Sequence, residues 1–305
     1  MPIETTDKIW MDGKLVPWDE ARVHVLTHSL HYGSGVFEGI RTYPTSSGPA
    51  VFRLTDHITR LADSAKLVMM ELPYSVAELV DACKLTVRES GLDSCYVRPI
   101  AFLGYGEMGL NPLPCPVSVS IAVWPWGAYL GEESLARGVR MKISSWKRMD
   151  PNVNPVAAKG TGIYINSSLA KVEAVHAGYD EAILLNTQGY VAECTGENLF
   201  IVKNGVLKTP PLASGALEGI TRDSLMTIAR DLGYEVREEN LLRHDLYLAD
   251  EAFLTGTAAE VVPIRSVDDR VIGPPGEMTR KLQETYFAAV RGQVEQYRDW
   301  CEDVG

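Results

Sequence analysis

The sequence predicts a mixed α/β protein built from two domains, and three observations support this prediction. Segments with apolar residues at three- and four-residue spacing, typical of helices, alternate with short apolar runs typical of buried strands. The length of 305 residues allows one large domain or two smaller ones. Near the middle, residues 124–131 combine a proline, two glycines and three large aromatic residues, and this composition marks a boundary.

The first half begins with a hairpin over residues 9–18, because Asp12-Gly13 supplies the positive φ angles of a tight turn. A helix is predicted over residues 55–69. Ser75 and Glu78 form a capping box, so a second helix runs to about residue 90 and ends before a glycine. Residues 95–103 and 117–124 are apolar enough to be buried strands.

The second half repeats this alternation. Strands are predicted over residues 139–146, 181–185 and 198–203, and helices over about 162–177 and over 220–232. Apolar residues between Met278 and Tyr297 keep helical spacing, which predicts one amphipathic C-terminal helix. We therefore predict a small N-terminal α/β domain (1–125), an interdomain loop (126–137) and a larger C-terminal domain (138–305).

Composition and charge narrow the function classes. Hydrophobic residues make up 46% and charged residues 23% of the chain, as in soluble globular enzymes. The net charge of −11 opposes binding to nucleic acid or to an anionic membrane surface, and no apolar run is long enough to span a bilayer. The five cysteines are widely spaced without a C-x-x-C pair, and the N-terminus lacks a signal-peptide pattern, so we expect a cytoplasmic protein.

Two motifs suggest sites that their surroundings do not support. Residues 104–109 match G-x-G-x-x-G after a predicted strand, but three prolines between 112 and 116 forbid the helix that a dinucleotide site requires. The alternative is a glycine-rich loop that borders a ligand. His24, His28 and His31 have the spacing of metal ligands, but the following residues resemble a tight loop. We predict packed or interface histidines here and no metal site.

Lys159 and Glu193 are candidates for chemistry. Small residues flank Lys159 over residues 157–162, immediately before a predicted helix. They would let a flat ring approach the amine, and a sheltered lysine can lose its proton and act as a Schiff-base nucleophile. A surface lysine beside a flexible turn is the alternative. Glu193 ends a predicted strand beside a glycine turn, where a carboxylate faces either a cleft or solvent.

Several residues could bind an anion. Ile220 and Thr221 open a predicted helix, whose first amides suit a negative charge. Thr257 lies among further small donors, and Arg60 lies on the helix predicted over 55–69. Taken singly, each is better explained as a structural residue, because a phosphate site requires that they converge.

The order of these segments resembles that of the fold-type IV pyridoxal-phosphate enzymes, and in particular the branched-chain amino-acid aminotransferases. No single marker is specific, but their joint order over nearly the entire chain is. The markers are Tyr32-Gly33, Phe37-Glu38-Gly39-Ile40-Arg41, Tyr96-Val97-Arg98-Pro99, Trp126-Gly127-Ala128-Tyr129-Leu130-Gly131, the Lys159 segment, Glu193 to Asn198, Gly219-Ile220-Thr221-Arg222-Asp223 and Thr255-Gly256-Thr257-Ala258-Ala259-Glu260.

This resemblance implies a pyridoxal 5'-phosphate cofactor that lies between the two domains and forms an internal aldimine with Lys159. The same lysine would move the proton between the substrate Cα and the cofactor. Glu193 would contact the pyridine nitrogen, and Tyr164 would contact the phenolate oxygen of the ring. The residues expected at the phosphate are Arg60, Ile220, Thr221 and Thr257. The implied reaction transfers the amino group between leucine, isoleucine or valine and 2-oxoglutarate.

The resemblance also implies a substrate pocket for amino acids and 2-oxo acids. Its walls would be Tyr32, Phe37, Tyr96, Arg98, Met108, Trp126, Tyr129 and Ala258. Tyr32 and the loop of residues 108–110 would reach in from a second subunit. The functional unit would then be at least a dimer, with a hexamer as the alternative.

Other activities stay open at this stage. D-amino-acid aminotransferases of this fold carry an Arg-x-His carboxylate trap, but Arg98-Pro99-Ile100 lacks the histidine. Aminodeoxychorismate lyases and (R)-selective amine transaminases share the fold, although residues 126–131 favour the branched-chain group. From a different class, the alternatives are a dinucleotide-dependent oxidoreductase and a non-catalytic binding protein.

Overall fold

The computed structural model describes residues 3–127 and 130–305. The strands are β1 (Lys8–Met11), β2 (Lys14–Pro17), β3 (Gly35–Phe37), β4 (Ile40–Thr45), β5 (Gly48–Phe52), β6 (Cys95–Leu103), β7 (Val117–Trp124), β8 (Val139–Lys147), β9 (Glu181–Leu185), β10 (Val191–Cys194), β11 (Asn198–Lys203), β12 (Val206–Thr209), β13 (Glu235–Glu238), β14 (Glu251–Gly256), β15 (Glu260–Val267), β16 (Arg270–Val271) and β17 (Cys301–Asp303).

The helices alternate with these strands. They are α1 (His28–Tyr32), α2 (Leu54–Leu67), α3 (Val76–Ser90), α4 (Glu132–Arg137), α5 (Tyr164–His176), α6 (Ile220–Asp231), α7 (Arg243–Tyr247) and α8 (Glu277–Ala289). Short 3₁₀ turns lie at Trp18–Glu20, Thr161–Ile163, Leu212–Ser214 and Glu295–Trp300. Among the residues described, no helix has both the length and the apolar character needed to cross a membrane.

The chain divides into two compact units. The first comprises Met1–Trp126, Ala158–Ile163 and Ala289–Gly305, and the second comprises Gly127–Ala157 and Tyr164–Ala288. The segment that carries Lys159 and the C-terminus therefore both join the first unit, whereas the sequence suggests a single boundary. The division proposed from sequence, into two domains joined by an interdomain loop, stays a prediction, and α4 lies within the proposed loop.

The first unit is built on one antiparallel sheet. Its strand order is β17-β5-β4-β6-β7-β1-β2, with β3 paired to β6. The predicted hairpin at its edge is confirmed, since β1 pairs with β2 and Asp12 and Gly13 have φ angles of 46° and 91°. The capping box of Ser75 and Glu78 is also confirmed at the start of α3.

The core of the first unit lies between this sheet and helices α2 and α3. Ile58 and Leu61 of α2 and Leu79 of α3 are fully buried, together with Val97 and Ile121 of the sheet. Full burial of such a side chain stabilises a protein by about 1.5–3 kcal/mol. This packing holds the inner face of α2 against the sheet, and the other residues of that face contribute to the candidate site.

The second unit is built on a mixed sheet. Its strand order is β10-β9-β8-β15-β14-β11-β12-β13, with β16 paired to β15. β8 pairs in parallel with both β9 and β15. Helix α5 packs its small residues Ala170 and Ala174 against Ala182 and Leu184 of β9. The small side chains allow a close approach between the helix and the sheet.

The prediction of one C-terminal helix extending to Tyr297 is wrong. Helix α8 ends at Ala289, and Gly292 follows with a φ of 66°, a left-handed conformation that ends helices. The chain then forms the 3₁₀ turn and β17, where Cys301 pairs with Phe52 of β5. Val290 and Tyr297 are still buried, so their spacing reflects burial without a continuous helix.

Candidate active site

Lys159 lies in a main-chain segment that packs against β3 within the first unit. The Phe37 amide donates a hydrogen bond to the Lys159 carbonyl at 3.0 Å, and the Thr161 hydroxyl donates to the Gly33 carbonyl at 2.8 Å. A Cβ atom at Gly33 would lie 2.7 Å from the Cα of Gly162. The small residues near Lys159 are thus explained by close packing of two main chains, whereas the sequence suggests room for a flat ring.

The side chain of Lys159 is only partly shielded from solvent. The residue is half-buried, and its Nζ lies 5.3 Å from the centre of the Phe37 ring. Its amide donates a hydrogen bond to the Ser64 hydroxyl at 3.0 Å, which ties the segment to α2. An amine held in this way suits a nucleophile that must be reached by a small molecule.

Arg60 lies one turn before Ser64 on the same face of α2, and its guanidinium is paired with Glu38. Arg60 Nε and Nη2 lie 2.7 and 2.8 Å from the two oxygens of that carboxylate. Glu38 is fully buried and also contacts His57 Nδ1 at 2.7 Å. The arginine is therefore held in one orientation by a carboxylate inside the first unit.

Four of the predicted pocket residues lie together in the first unit. The guanidinium carbon of Arg98 lies 4.8 Å from the centre of the Phe37 ring and 5.3 Å from that of Tyr96, and the Tyr96 and Trp126 rings are 4.9 Å apart. Arg98 Nε is buried, and no hydrogen-bond partner for it occurs among the described residues. A buried donor of this kind is costly unless a ligand accepts its hydrogen bond.

Tyr32 and Met108 are both 46% exposed, which separates them from this buried cluster. His28 packs against Tyr32: its ring is 4.5 Å from that of Tyr32, and its Nε2 lies 2.8 Å from the Gly109 carbonyl oxygen. Its Nδ1 contacts the Ser34 hydroxyl at 2.7 Å. His28 is therefore a packed residue that connects α1 to the loop of residues 104–109.

The other two histidines have separate partners. His31 Nε2 lies 2.9 Å from the Val25 carbonyl, and the His24 ring packs 4.4 Å from that of Tyr105. No metal-binding group of three His, Cys, Asp or Glu occurs in the part of the chain that the structure describes. The loop of residues 104–109 is followed by turns and then by β7, so the helix of a dinucleotide site is missing there.

Glu193 is the central carboxylate of the second unit. It lies in β10 and is buried, and one oxygen is 2.8 Å from Arg148 Nη2. The Leu217 amide donates a hydrogen bond to the other oxygen at 2.8 Å. Arg148 is itself held by a hydrogen bond from its Nε to the Gly215 carbonyl at 3.0 Å. A buried carboxylate is costly unless it is paired and hydrogen-bonded, and the cation and the amide meet this need for Glu193.

Asn198 connects Glu193 to the start of α6. Its side-chain amide donates to the Leu217 carbonyl at 2.9 Å, next to the amide that contacts Glu193. A Cβ atom at Gly219 would lie 1.9 Å from Asn198 Oδ1, so only glycine fits before the helix. Asn198 therefore orders this part of the second unit.

The remaining predicted site residues lie at the ends of elements of the second unit. Ile220 and Thr221 are the first two residues of α6 and are buried. Thr257 and Ala258 form the turn between β14 and β15, and Tyr164 begins α5; these three are half-buried. Tyr129 lies outside the described residues.

Two further buried carboxylates, Glu181 and Glu197, lie close to Glu193 in sequence. Glu181 is fully buried and contacts Lys171 Nζ and the Thr195 hydroxyl, each at 2.6 Å. Burial, with the negative charge of Glu181, raises the pKa of Glu197 to about 8. At neutral pH Glu197 therefore keeps its proton.

Comparison with known proteins then decides the family. The model of the amino-transferase class IV family matches residues 35–267. A branched-chain-amino-acid aminotransferase of Pseudomonas aeruginosa (strain PAO1) is 50% identical over 294 residues, which cover 96% of this chain and 95% of that protein. The chain belongs to the class IV aminotransferase family. The family predicted from sequence is confirmed.

Solved structures agree with this class IV assignment. The Escherichia coli branched-chain amino acid aminotransferase has a TM-score of 0.97 and 47% identity, and the match covers 99% of this chain and 100% of that one. A second branched-chain amino acid aminotransferase, solved with pyridoxamine 5'-phosphate, has a TM-score of 0.96 and 51% identity over 100% of both chains. The predicted α/β fold of fold-type IV is confirmed.

Sequence patterns of this class IV aminotransferase do not identify four residues that the structure places beside the candidates. They are Glu38, His57, Ser64 and Arg148. Each contacts a partner that is distant in sequence. Glu38 lies in the Phe37–Arg41 marker, which gives it no role, and the other three lie in no motif. The one available signal is the spacing of His57, Arg60 and Ser64, which places them on one helix face.

Proposed function

We propose that the chain is a pyridoxal-phosphate-dependent enzyme that transfers the amino group between leucine, isoleucine or valine and 2-oxoglutarate. The observation that carries this proposal is the anchoring of the Lys159 segment and Arg60 on one face of α2, in a chain that is 50% identical to a branched-chain-amino-acid aminotransferase. The aminotransferase activity and the cofactor predicted from sequence are supported by the solved relatives.

The donor set fits this cofactor. Lys159 offers an amine, Arg60 offers a guanidinium for a phosphate, and Glu193 offers a buried carboxylate for a ring nitrogen. The further proposed contacts are Ile220, Thr221 and Thr257 at the phosphate and Tyr164 at the ring oxygen. When bound, pyridoxal phosphate supplies an electron-withdrawing ring that stabilises negative charge at the substrate Cα.

The protein's own groups hold and move the protons. Lys159 Nζ is proposed to take the proton from the substrate Cα and to deliver it to the cofactor. Glu193, held in place by Arg148, is proposed to place its carboxylate against the ring nitrogen and so to favour a proton there. Tyr164 is proposed to orient the ring through its hydroxyl.

The substrate pocket is proposed to combine apolar walls with one cation. Phe37, Tyr96 and Trp126 would bury an aliphatic side chain, which is worth about 0.8 kcal/mol per methylene group. The unpartnered Nε of Arg98 would bind the distal carboxylate of glutamate or 2-oxoglutarate. Tyr129, Met108, Tyr32 and Ala258 are proposed as further wall residues.

A homodimer is proposed as the smallest active form, with a hexamer as the alternative. The support is a group of exposed apolar side chains in the first unit near Tyr32 and Met108. They are Val25, Leu30, Tyr105, Leu110 and Leu113, which are 58–89% exposed. Large exposed apolar groups of this kind mark association surfaces. A cytoplasmic location is also proposed, because all five cysteines are free.

The chemical proposal is tested by spectroscopy and labelling. The purified protein should show a visible pyridoxal chromophore that shifts when L-leucine is added. Borohydride reduction should label the peptide that contains Lys159. Lys159→Ala should abolish turnover, whereas Lys66→Ala, an exposed lysine of α2, should leave it intact. A label on any other lysine, or no chromophore, would overturn the proposal.

The dimer is tested by mixing inactive variants. Lys159→Ala and Tyr32→Ala proteins should each have low activity, and refolding them together should restore part of it, because one site of the mixed dimer has both residues intact. If mixed samples only average the two activities, Tyr32 acts within its own subunit.

A further inference from the structure

Glu38 is a buried carboxylate to which the proposed chemistry assigns no direct contact with the cofactor or substrate. It directly follows β3, and its amide donates a hydrogen bond to the Pro99 carbonyl at 2.9 Å. Its side chain is 0% exposed. A buried charge of this kind is costly unless it is paired and hydrogen-bonded, so its partners indicate what it stabilises.

Those partners both come from one face of α2. Arg60 donates through Nε and Nη2 at 2.7 and 2.8 Å, which is the two-point geometry that fixes the plane of a guanidinium. Arg60 is 14% exposed and Glu38 is fully buried. Glu38 thus accepts two of the five N–H donors that an arginine offers, and it holds the arginine side chain in place.

His57 completes the group. Its Nδ1 lies 2.7 Å from the same carboxylate oxygen that accepts from Arg60 Nη2. Burial favours the uncharged carboxyl, but the charge of Arg60 and the bond to His57 hold the pKa of Glu38 well below its usual range. Burial lowers the pKa of His57 although Glu38 opposes this. A neutral His57 therefore donates from Nδ1 and orients the carboxylate without adding a full charge.

We propose that Glu38, oriented by His57, is a positioning residue that holds Arg60 ready for the cofactor phosphate. This inference rests on the proposed function, in which Arg60 binds that phosphate. Arginine loses considerable side-chain freedom when it is ordered. The Glu38 pair orders it before the cofactor arrives, so less of the binding free energy is used for this step.

Positioning makes a prediction that simple charge compensation does not. If Glu38 only neutralised Arg60, then removing the negative charge would leave a stronger positive charge and tighter phosphate binding. If Glu38 positions Arg60, then removing it should weaken binding. Glu38→Gln separates the two roles because it keeps the size of the side chain and removes its charge.

The experiment measures the dissociation constant of pyridoxal phosphate by fluorescence titration of the cofactor-free protein. Glu38→Gln should raise it at least tenfold in the wild-type background and less than twofold in an Arg60→Ala background. The ³¹P NMR signal of the bound phosphate should broaden or shift in Glu38→Gln. Glu302→Gln is the matched control, since Glu302 accepts hydrogen bonds from Thr55 at the start of the same helix, and its dissociation constant should stay within twofold of wild type.

His57 supplies a second test if Glu38→Gln fails to fold. His57→Asn keeps a donor near the position of Nδ1 and should bind within about twofold of wild type, whereas His57→Leu should bind several-fold more weakly. The positioning role would be overturned if Glu38→Gln bound pyridoxal phosphate as tightly as wild type or more tightly. It would also be overturned if the fold-increases in dissociation constant of Glu38→Gln and Arg60→Ala multiplied in the double variant. Either result would leave the phosphate role of Arg60 standing. If Arg60→Ala itself binds the cofactor normally, the phosphate role of Arg60 fails, and the positioning role fails with it.

Discussion

The main-chain amide of Lys159 donates a hydrogen bond to the hydroxyl of Ser64 at 3.0 Å, one turn after Arg60 on helix α2. The same helix thus anchors the segment with the proposed nucleophile and the arginine proposed for the phosphate. Ser64 is 1% exposed, so water does not readily replace its hydroxyl. The distance between the two functional groups is set by a helix, which is a rigid element.

Ser64→Ala should therefore weaken cofactor binding as well as stability. The variant leaves the Lys159 amide without this acceptor, at a cost of about 1–3 kcal/mol. Thr86→Val is the matched control, because Thr86 is equally buried and its hydroxyl bonds only to its own helix at Ala82. Both variants should melt at a lower temperature, but only Ser64→Ala should raise the dissociation constant of pyridoxal phosphate. Equal dissociation constants would show that the bond does not hold the lysine segment.

Arg148→Met should slow the chemical step and leave the cofactor bound. Glu193 would then be buried without the cation that lies 2.8 Å away, and it would favour the protonated ring nitrogen less strongly. We expect kcat to fall at least tenfold, as in Glu193→Gln, with Arg148→Lys between this value and wild type. Because the two residues act as one unit, the double variant should be no slower than the slower single variant. If the fold-decreases in kcat of the two single variants multiplied in the double variant, Arg148 and Glu193 would act independently.

Gly39→Ala should disturb the substrate pocket. A Cβ atom at Gly39 would lie 1.8 Å from the hydroxyl oxygen of Tyr96, so the tyrosine ring would have to shift from its present position. We expect the KM for L-leucine to rise about tenfold, since a pocket wall is worth about 1–3 kcal/mol. Adding Tyr96→Phe removes the clashing oxygen and should recover part of the loss. An unchanged KM in Gly39→Ala would exclude Tyr96 from the pocket.

Glu197 predicts how stability changes with pH. Its pKa is raised to about 8 in the folded protein, so the folded chain keeps a proton that the unfolded chain releases near pH 4.3. The stability linked to this group is fully present below pH 4.3 and is lost as the pH rises towards 8. A glutamine at position 197 has no proton to release, so Glu197→Gln should not lose stability in this way as the pH rises. The variant should melt about 5 °C above wild type at pH 8, with a smaller difference at pH 5.

Glu173→Gln is the control, because its effect on stability should change with pH in the opposite direction. Burial opposes ionisation of Glu173, but hydrogen bonds from Ser144 and Ser145 lower its pKa, so its contribution is present above the usual pKa and lost in acid. This variant should melt below wild type at pH 8 and approach it in acid. A melting difference for Glu197→Gln that does not change with pH would contradict the buried-proton account.

Local patterns in the sequence predict much of the fold. The Asp12-Gly13 turn, the Ser75 capping box and β6 each depend on residues that are close in sequence, and all three are confirmed. The C-terminal helix is mispredicted because Val290 and Tyr297, which are buried on either side of Gly292, keep a helical spacing by coincidence. Spacing reports burial, and a single left-handed glycine is enough to end the helix that the spacing suggests.

The candidate site could be predicted only in part. Lys159 and Glu193 were accessible through the joint order of motifs along the chain. Arg148 and Glu38 were not, because each stabilises a candidate that is distant in sequence by an ion pair. The packing of Gly33 against Gly162 likewise depends on two segments more than a hundred residues apart. Local sequence does not encode such pairings, so the tertiary structure is needed to find them.

The substrate comparison tests the central claim most directly. The purified holoenzyme is assayed with L-leucine, D-alanine and (R)-1-phenylethylamine as amino donors, each with 2-oxoglutarate, and kcat/KM is measured for each donor. The account predicts a clear preference for L-leucine, because the apolar walls around Phe37 and Tyr96 favour an aliphatic side chain and Arg98-Pro99-Ile100 lacks the histidine of the D-amino-acid carboxylate trap. A higher kcat/KM for D-alanine or for the amine would contradict the account and leave only the class IV fold and its cofactor.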